Sequence, residues 1–200
     1  YYRGEIARAI DDFSKKTGGY LRAEDLATYE AEWVTPVSRS YHGFEICEIP
    51  PNGHGIVALM ALALASRLPI KNRAEPRSVH YAIEAMKRAF VDGMEYITDP
   101  RYMKVDVNDL LSDAYADRRA QGLTEDAEMP RAIDPDCGGT VYLCAADGEG
   151  NMVSFIQSNF RGFGSGIVIP GYGISFNDRA SSFRLDEKAA NVLVPGKKPY

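Results

Sequence analysis

Residues 137–158 read Cys137-Gly138-Gly139-Thr140-Val141-Tyr142-Leu143-Cys144-Ala145-Ala146, then Asp147-Gly148-Glu149-Gly150, then Asn151-Met152-Val153-Ser154-Phe155-Ile156-Gln157-Ser158. The outer runs are rich in β-branched, aromatic and other apolar residues, and the four inner residues are a turn sequence of hairpin type. The spacing therefore predicts two antiparallel strands, Thr140 to Ala146 and Asn151 to Ser158. A threonine that opens a strand behind paired glycines is compatible with a simple turn. It also fits an N-terminal nucleophile. Cleavage of the Gly139–Thr140 bond would free an α-amine that titrates near about 7.7 to 8.0 in reference peptides, so it is partly neutral and can take the hydroxyl's proton. One residue would then be nucleophile and base, and the glycines would tolerate the strained dihedrals that bring a preceding carbonyl onto a hydroxyl.

Upstream of this junction the texture is helical. Ile6, Ile10 and Phe13 lie about one turn apart, and Gly18-Gly19 supplies a C-cap. A short helix is predicted around Glu24 to Glu30. Two strands follow, Val34 to Ser40 and Phe44 to Ile49, joined through His42-Gly43. The loop Pro50-Pro51-Asn52-Gly53-His54-Gly55 feeds an apolar helix, Ile56 to Arg67, and His54 reads as structural, with approach to a pocket as the alternative. From Ser78 to Thr98 the residues Val79, Ala82, Ile83, Met86, Phe90 and Ile97 share one helical face, which predicts a helix over that span. One more helix is expected over Asn108 to Gln121, and then a polar connection over Gly122 to Gly139. Downstream, Gly162-Phe163-Gly164-Ser165-Gly166 leads into Ile167 to Ile169, and Gly173 to Phe176 is a last short strand. Helices first and hairpin-linked strands second predict an α+β fold, an antiparallel sheet covered by helices.

Composition narrows the function classes. The 200 residues are 45% hydrophobic and 26% charged, which excludes disorder, collagen and coiled coil. A net charge of -5 with no basic stripe argues against nucleic acid and anionic membranes as partners. The longest apolar run, Gly55 to Ser66, is shorter than the roughly 20 residues of a membrane span, so the chain reads as soluble. Three histidines and three cysteines without ligand spacing imply neither a metal site nor a disulfide scaffold. Cys144 reads as an alternating strand residue and Cys137 as a loop thiol. The glycine loop lacks the lysine of a phosphate-binding loop. The opening without methionine and the turn-rich end suggest a fragment at both ends.

The chain resembles the gamma-glutamyltransferase family of N-terminal-nucleophile hydrolases, and the shared order of its segments carries that resemblance. They are Tyr1-Tyr2-Arg3-Gly4, Gly18-Gly19-Tyr20-Leu21 with Glu24-Asp25-Leu26, Pro50 to Gly55, Glu84-Ala85 with Ala89-Phe90-Val91-Asp92, and Asp99-Pro100. Beyond the junction come Asp147 to Asn151, Gln157-Ser158-Asn159, Phe163-Gly164-Ser165-Gly166, Gly173-Ile174 with Asn177, and Pro195 to Pro199. The resemblance implies an αββα sandwich made as a precursor that cuts itself. Residues 1–139 would be the end of a helix-rich large subunit and 140–200 the start of a strand-rich small one, together one composite domain.

The same resemblance implies that Thr140 accepts the acyl group, that Ser158 supports it, and that Gly164 and Ser165 shape the substrate pocket. No cofactor is implied, and the partner is a small gamma-glutamyl or related acyl substrate. Several positions depart from the family pattern. Asn159 is displaced by one, with Phe160 in its place. Ser181-Ser182 replaces an aspartate pair that would hold the glutamyl amino group. Arg179 stands where a neutral or acidic ligand is expected, and Tyr142 replaces a histidine. The expected activity is a gamma-glutamyltransferase-like acyltransferase or amidohydrolase that depends less than usual on the substrate's α-amino group, with a glutaryl or cephalosporin acylase-like amidase as the alternative in substrate. A non-catalytic binding domain on the same fold is the alternative of another class. The resemblance also places a carboxylate-binding arginine before Tyr1 and the oxyanion-hole residues after Tyr200, so these 200 residues alone are expected to be close to inactive.

Overall fold

The computed structural model describes residues 1–128 and 140–200. In chain order the elements are α1 (Glu5–Thr17), α2 (Ala23–Ala27), β1 (Val37–Tyr41), β2 (Phe44–Glu48), α3 (Gly55–Ala65) and α4 (Pro76–Tyr96). Then come α5 (Val107–Leu110), α6 (Asp113–Ala120), β3 (Thr140–Ala146), β4 (Met152–Ser158), β5 (Val168–Ile169) and β6 (Ile174–Ser175). The strands pair as three antiparallel ladders, β1–β2, β3–β4 and β5–β6. Two compact units result. Their described parts are 1–33 with 140–179, and 34–128 with 180–200, so each draws on chain from both sides of the 139/140 boundary.

In the first unit, α1 ends where the paired glycines predict. Gly18 is left-handed at φ 75°, and the amides of Gly18 and Gly19 return to the carbonyls of Lys15 and Ser14. Buried Ile10 on α1 and Ile169 on β5 both line an apolar recess of about 180 Å³, together with Phe13 and Phe176. The β3–β4 ladder runs without a bulge from Thr140 opposite Ser158 to Ala146 opposite Met152. Its turn is closed by Asp147, which accepts from the amides of Glu149 and Asn151 and from Asn151 Nδ2. Residues on both faces of this hairpin, among them Val141, Tyr142, Phe155 and Ile156, are exposed, and so is Cys144.

The second unit is built on α3, which is buried on nearly every side by Ile56, Val57, Leu59, Met60, Ala63 and Leu64. A helix this apolar all round must lie inside. It packs on α4, whose large apolar stripe is buried only at its end, at Ile97. Val79, Ile83, Met86 and Phe90 are between 36% and 53% exposed, whereas Tyr81, Ala85, Ala89 and Gly93 are buried. Both stripes have helical spacing. The small one faces inward because the helices approach closely: a Cβ on Gly93 would come within 2.6 Å of Val57 Cγ2 and Tyr200 Oη. The single helix expected over Asn108 to Gln121 is two, because the Ser112 hydroxyl accepts from Tyr115 N and starts α6 anew. His54 stacks flat on Tyr200 with ring centroids 4.2 Å apart, a structural placement.

Past α4, Thr98 and Asp99 are both fully buried. Asp99 accepts from Arg101 N, Nε and Nη2 (3.1, 3.0 and 2.6 Å) and from Lys198 N (2.9 Å). The Arg101 guanidinium and these amides hold its carboxyl well below the usual carboxylate range, against the opposing effect of burial. A depressed folded-state pKa means that the stabilisation is complete above the unfolded value of about 3.9 and is lost as pH falls through the folded one. Asp99→Asn in the full-length protein is therefore expected to cost about 1.5–3 kcal/mol at pH 7. Thermal unfolding should show a gap to wild type that is constant between neutral pH and about 5 and narrows below about 4. Equal gaps at pH 3 and pH 7 would contradict the assignment.

Candidate active site

The sequence-derived site residues fall in both units. Gly139 and Cys137 lie outside the described residues. In the first unit the β3–β4 register sets Thr140, the first residue of β3, directly opposite Ser158, the last of β4. Ser158 Oγ accepts from the amide of Phe160 (2.9 Å), which bends the chain out of the strand. Phe160 itself is left-handed at φ 75°, a conformation uncommon for a side chain of its size. The carbonyl of Asn159 accepts from Asp178 N, and its Nδ2 donates to Ser175 Oγ at 3.3 Å. The loop after β4 is thus fastened to the segment after β6.

Arg179 follows directly on that fastening. Its guanidinium carbon sits 4.7 Å from the centre of the Phe160 ring, a cation–π contact, and its amide donates to Asn177 Oδ1. Arg161, which sequence reasoning passed over, lies 5.5 Å from the same ring, and its amide is held by Asp178 Oδ1 at 3.1 Å. The only sequence signal for it was a positive charge next to Phe160. Phe160 and Arg179, two of the positions that depart from the family pattern, therefore form one stacked pair of aromatic ring and cation.

The glycine loop is fixed by backbone geometry. Gly164 is left-handed at φ 71° and its amide donates to Arg161 O at 2.6 Å. A Cβ there would lie 3.0 Å from Asn177 Cα and well inside contact distance of the Phe176 carbonyl oxygen. Ser165 donates to that carbonyl through both its amide and its Oγ (3.0 Å each) and accepts from Ile167 N. Its hydroxyl is occupied in shaping the loop.

Ser181 and Ser182 belong to the second unit. Ser181 is exposed. Ser182 donates through Oγ to the Tyr200 carbonyl (3.0 Å), and Asn191 Nδ2 donates to its carbonyl and its Oγ. Asn191, buried between these groups, is the other residue that sequence reasoning did not find. Among the described residues no three His, Cys, Asp or Glu side chains could hold a metal ion, and no helix is long and apolar enough to cross a membrane.

The family model described as Gamma-glutamyltranspeptidase matches residues 1–200. The chain belongs to the gamma-glutamyltranspeptidase family. Among curated relatives it is 31% identical over 202 residues to the Glutathione hydrolase-like YwrD proenzyme of Bacillus subtilis. It is 32% identical over 200 residues to the Oxamate amidohydrolase proenzyme of Klebsiella pneumoniae. All of this chain is matched in both, and 38% of each relative. Among solved structures, cephalosporin acylase from Bacillus halodurans superposes over the whole chain with a TM-score of 0.89 and 51% identity, covering 36% of that enzyme. The fold is the α+β type of the N-terminal-nucleophile hydrolases, and the chain spans less than two fifths of the length of these relatives.

The loop geometry makes Gly164 the least replaceable glycine of its loop. Gly164→Ala in the full-length protein is expected to lower kcat/KM by at least about tenfold, because backbone atoms must move by several tenths of an ångström. Gly148, where a Cβ meets nothing within 4 Å, is the control and its alanine variant should keep activity. Equal activities for the two variants would contradict the close approach.

Proposed function

We propose that this chain is the portion of a gamma-glutamyltranspeptidase-family precursor that carries the self-cleavage junction and the nucleophile, and that the mature protein is an amidohydrolase or acyltransferase acting through Thr140. The observation that carries the reading is the register: Thr140 begins β3 directly opposite Ser158, after the last α-helix of the described chain. In self-cleavage the Thr140 hydroxyl attacks the Gly139 carbonyl carbon. The peptide bond gives way to an ester, and water hydrolyses that ester to leave the Gly139 carboxylate and the Thr140 α-amine. In turnover the α-amine takes the hydroxyl proton as Thr140 Oγ attacks the substrate amide, then passes it to the departing amine. The resulting acyl-threonine ester is released to water or to an acceptor amine, and the hydroxyl regains a proton.

On the substrate side, an ammonium is best held by carboxylates through charge-assisted hydrogen bonds, and the aspartate pair of the family pattern is Ser181-Ser182 here. The Arg179 guanidinium repels an ammonium and suits a carboxylate instead. Both favour an acyl group without an α-amino group, of glutaryl rather than glutamyl kind. The relatives named as an oxamate amidohydrolase and a cephalosporin acylase support an amidase of that breadth. Large and small pieces of one precursor are the partners in this reading.

Freshly purified full-length protein is expected to separate, by mass spectrometry, into pieces that end at Gly139 and begin at Thr140. Thr140→Ala should stay whole. A folded wild type that remains intact after prolonged incubation would overturn the processing claim and favour a binding domain.

A further inference from the structure

Asn191 is 4% exposed, and every hydrogen-bonding group of its side chain is engaged. Its Oδ1 accepts from Thr98 Oγ1 at 3.2 Å and from Tyr200 N at 3.3 Å. Its Nδ2 donates to the Ser182 carbonyl at 3.0 Å and to Ser182 Oγ at 3.3 Å. A primary amide has two donor hydrogens and two acceptor lone pairs, so this residue is saturated. The reversed amide would set a donor against the Tyr200 N–H and an acceptor against the Ser182 carbonyl, so only one orientation fits.

That orientation dictates what Ser182 can offer. Its proton is directed to the Tyr200 carbonyl and one lone pair is taken by Asn191, which leaves a single acceptor site on the hydroxyl. Thr98, fully buried just past α4, ties the arrangement to the helical core. We propose that Asn191 is a positioning residue for substrate selection: by fixing the Ser182 hydroxyl it leaves that side chain poor in acceptors and so disfavours an acyl group that carries an ammonium. The proposal rests on the reading above that Ser182 faces the acyl group.

The test compares kcat and KM for gamma-glutamyl and glutaryl anilides, using processed full-length wild type, Asn191→Asp, Ser182→Ala, the double variant and Thr98→Val. Asn191→Asp keeps the shape and the acceptor toward Thr98 and Tyr200, but turns an acceptor and a negative charge toward Ser182. The gamma-glutamyl to glutaryl ratio of kcat/KM should rise about tenfold, the size of one charge-assisted hydrogen bond, mainly through KM. In the Ser182→Ala background the same change should move the ratio by much less. Thr98→Val, which only loosens the amide, should shift the ratio in the same direction by a smaller factor, and it serves if Asn191→Asp does not fold. A ratio unmoved by Asn191→Asp or, failing that, by Thr98→Val, with Ser182→Ala shifting it, would overturn the positioning role and leave Ser182 in place. A ratio unmoved by Ser182→Ala would remove Ser182 from the acyl site, and the proposal with it.

Discussion

Two consecutive buried side chains, Thr98 and Asp99, hold the 180–200 segment to the helical core. Asp99 gathers Arg101 and the amide of Lys198, and Thr98 reaches Asn191. A carboxylate this deeply buried is tolerable only when several donors surround it, and here four do. Arg101 in turn donates to Gly196 O, and Lys197 Nζ to Ala190 O, so the residues from Asn191 to Tyr200 are folded back by polar contacts more than by apolar burial. Tyr200 completes the packing: its ring lies against His54 and its hydroxyl beside Gly93. The turn that carries Ser182 takes its position from this construction.

In the other unit the corresponding device is the pairing of backbone with backbone. The β3–β4 ladder aligns Thr140 with Ser158, Ser158 turns the chain at Phe160, and Asp178 and Ser175 fasten the loop that follows. Few of these contacts depend on bulky side chains. They depend on a left-handed Phe160, a Gly164 with no room for a Cβ, and hydroxyls that are used up in holding the loop. Such preorganisation leaves the loop little conformational freedom to lose.

Much of this was legible in the sequence, and the remainder was hidden for physical reasons. The hairpin turn Asp147 to Gly150 and the Gly18 cap were readable because local chemistry alone determines them. The buried face of α4 was not. Two stripes satisfy the same period, and only the close approach of α3 selects the one with Ala85, Ala89 and Gly93. The break before α6 needed a serine to be recognised as a cap inside an otherwise helical pattern. Ser182 could be read from a resemblance, but the direction of its hydroxyl could not. That direction is set by Asn191 and Tyr200, and through Asn191 by Thr98, 93 residues distant in the chain.

The central claim is that Thr140, as an N-terminal residue, carries the acyl group. The most direct measurement is an acid quench of the processed full-length enzyme during turnover of a glutaryl anilide, followed by intact-mass and fragment analysis. The account predicts a glutaryl adduct on the piece that begins at Thr140, located on that first residue and lost when the substrate is exhausted. Turnover with no adduct on that piece, or an adduct on any other residue, would contradict it.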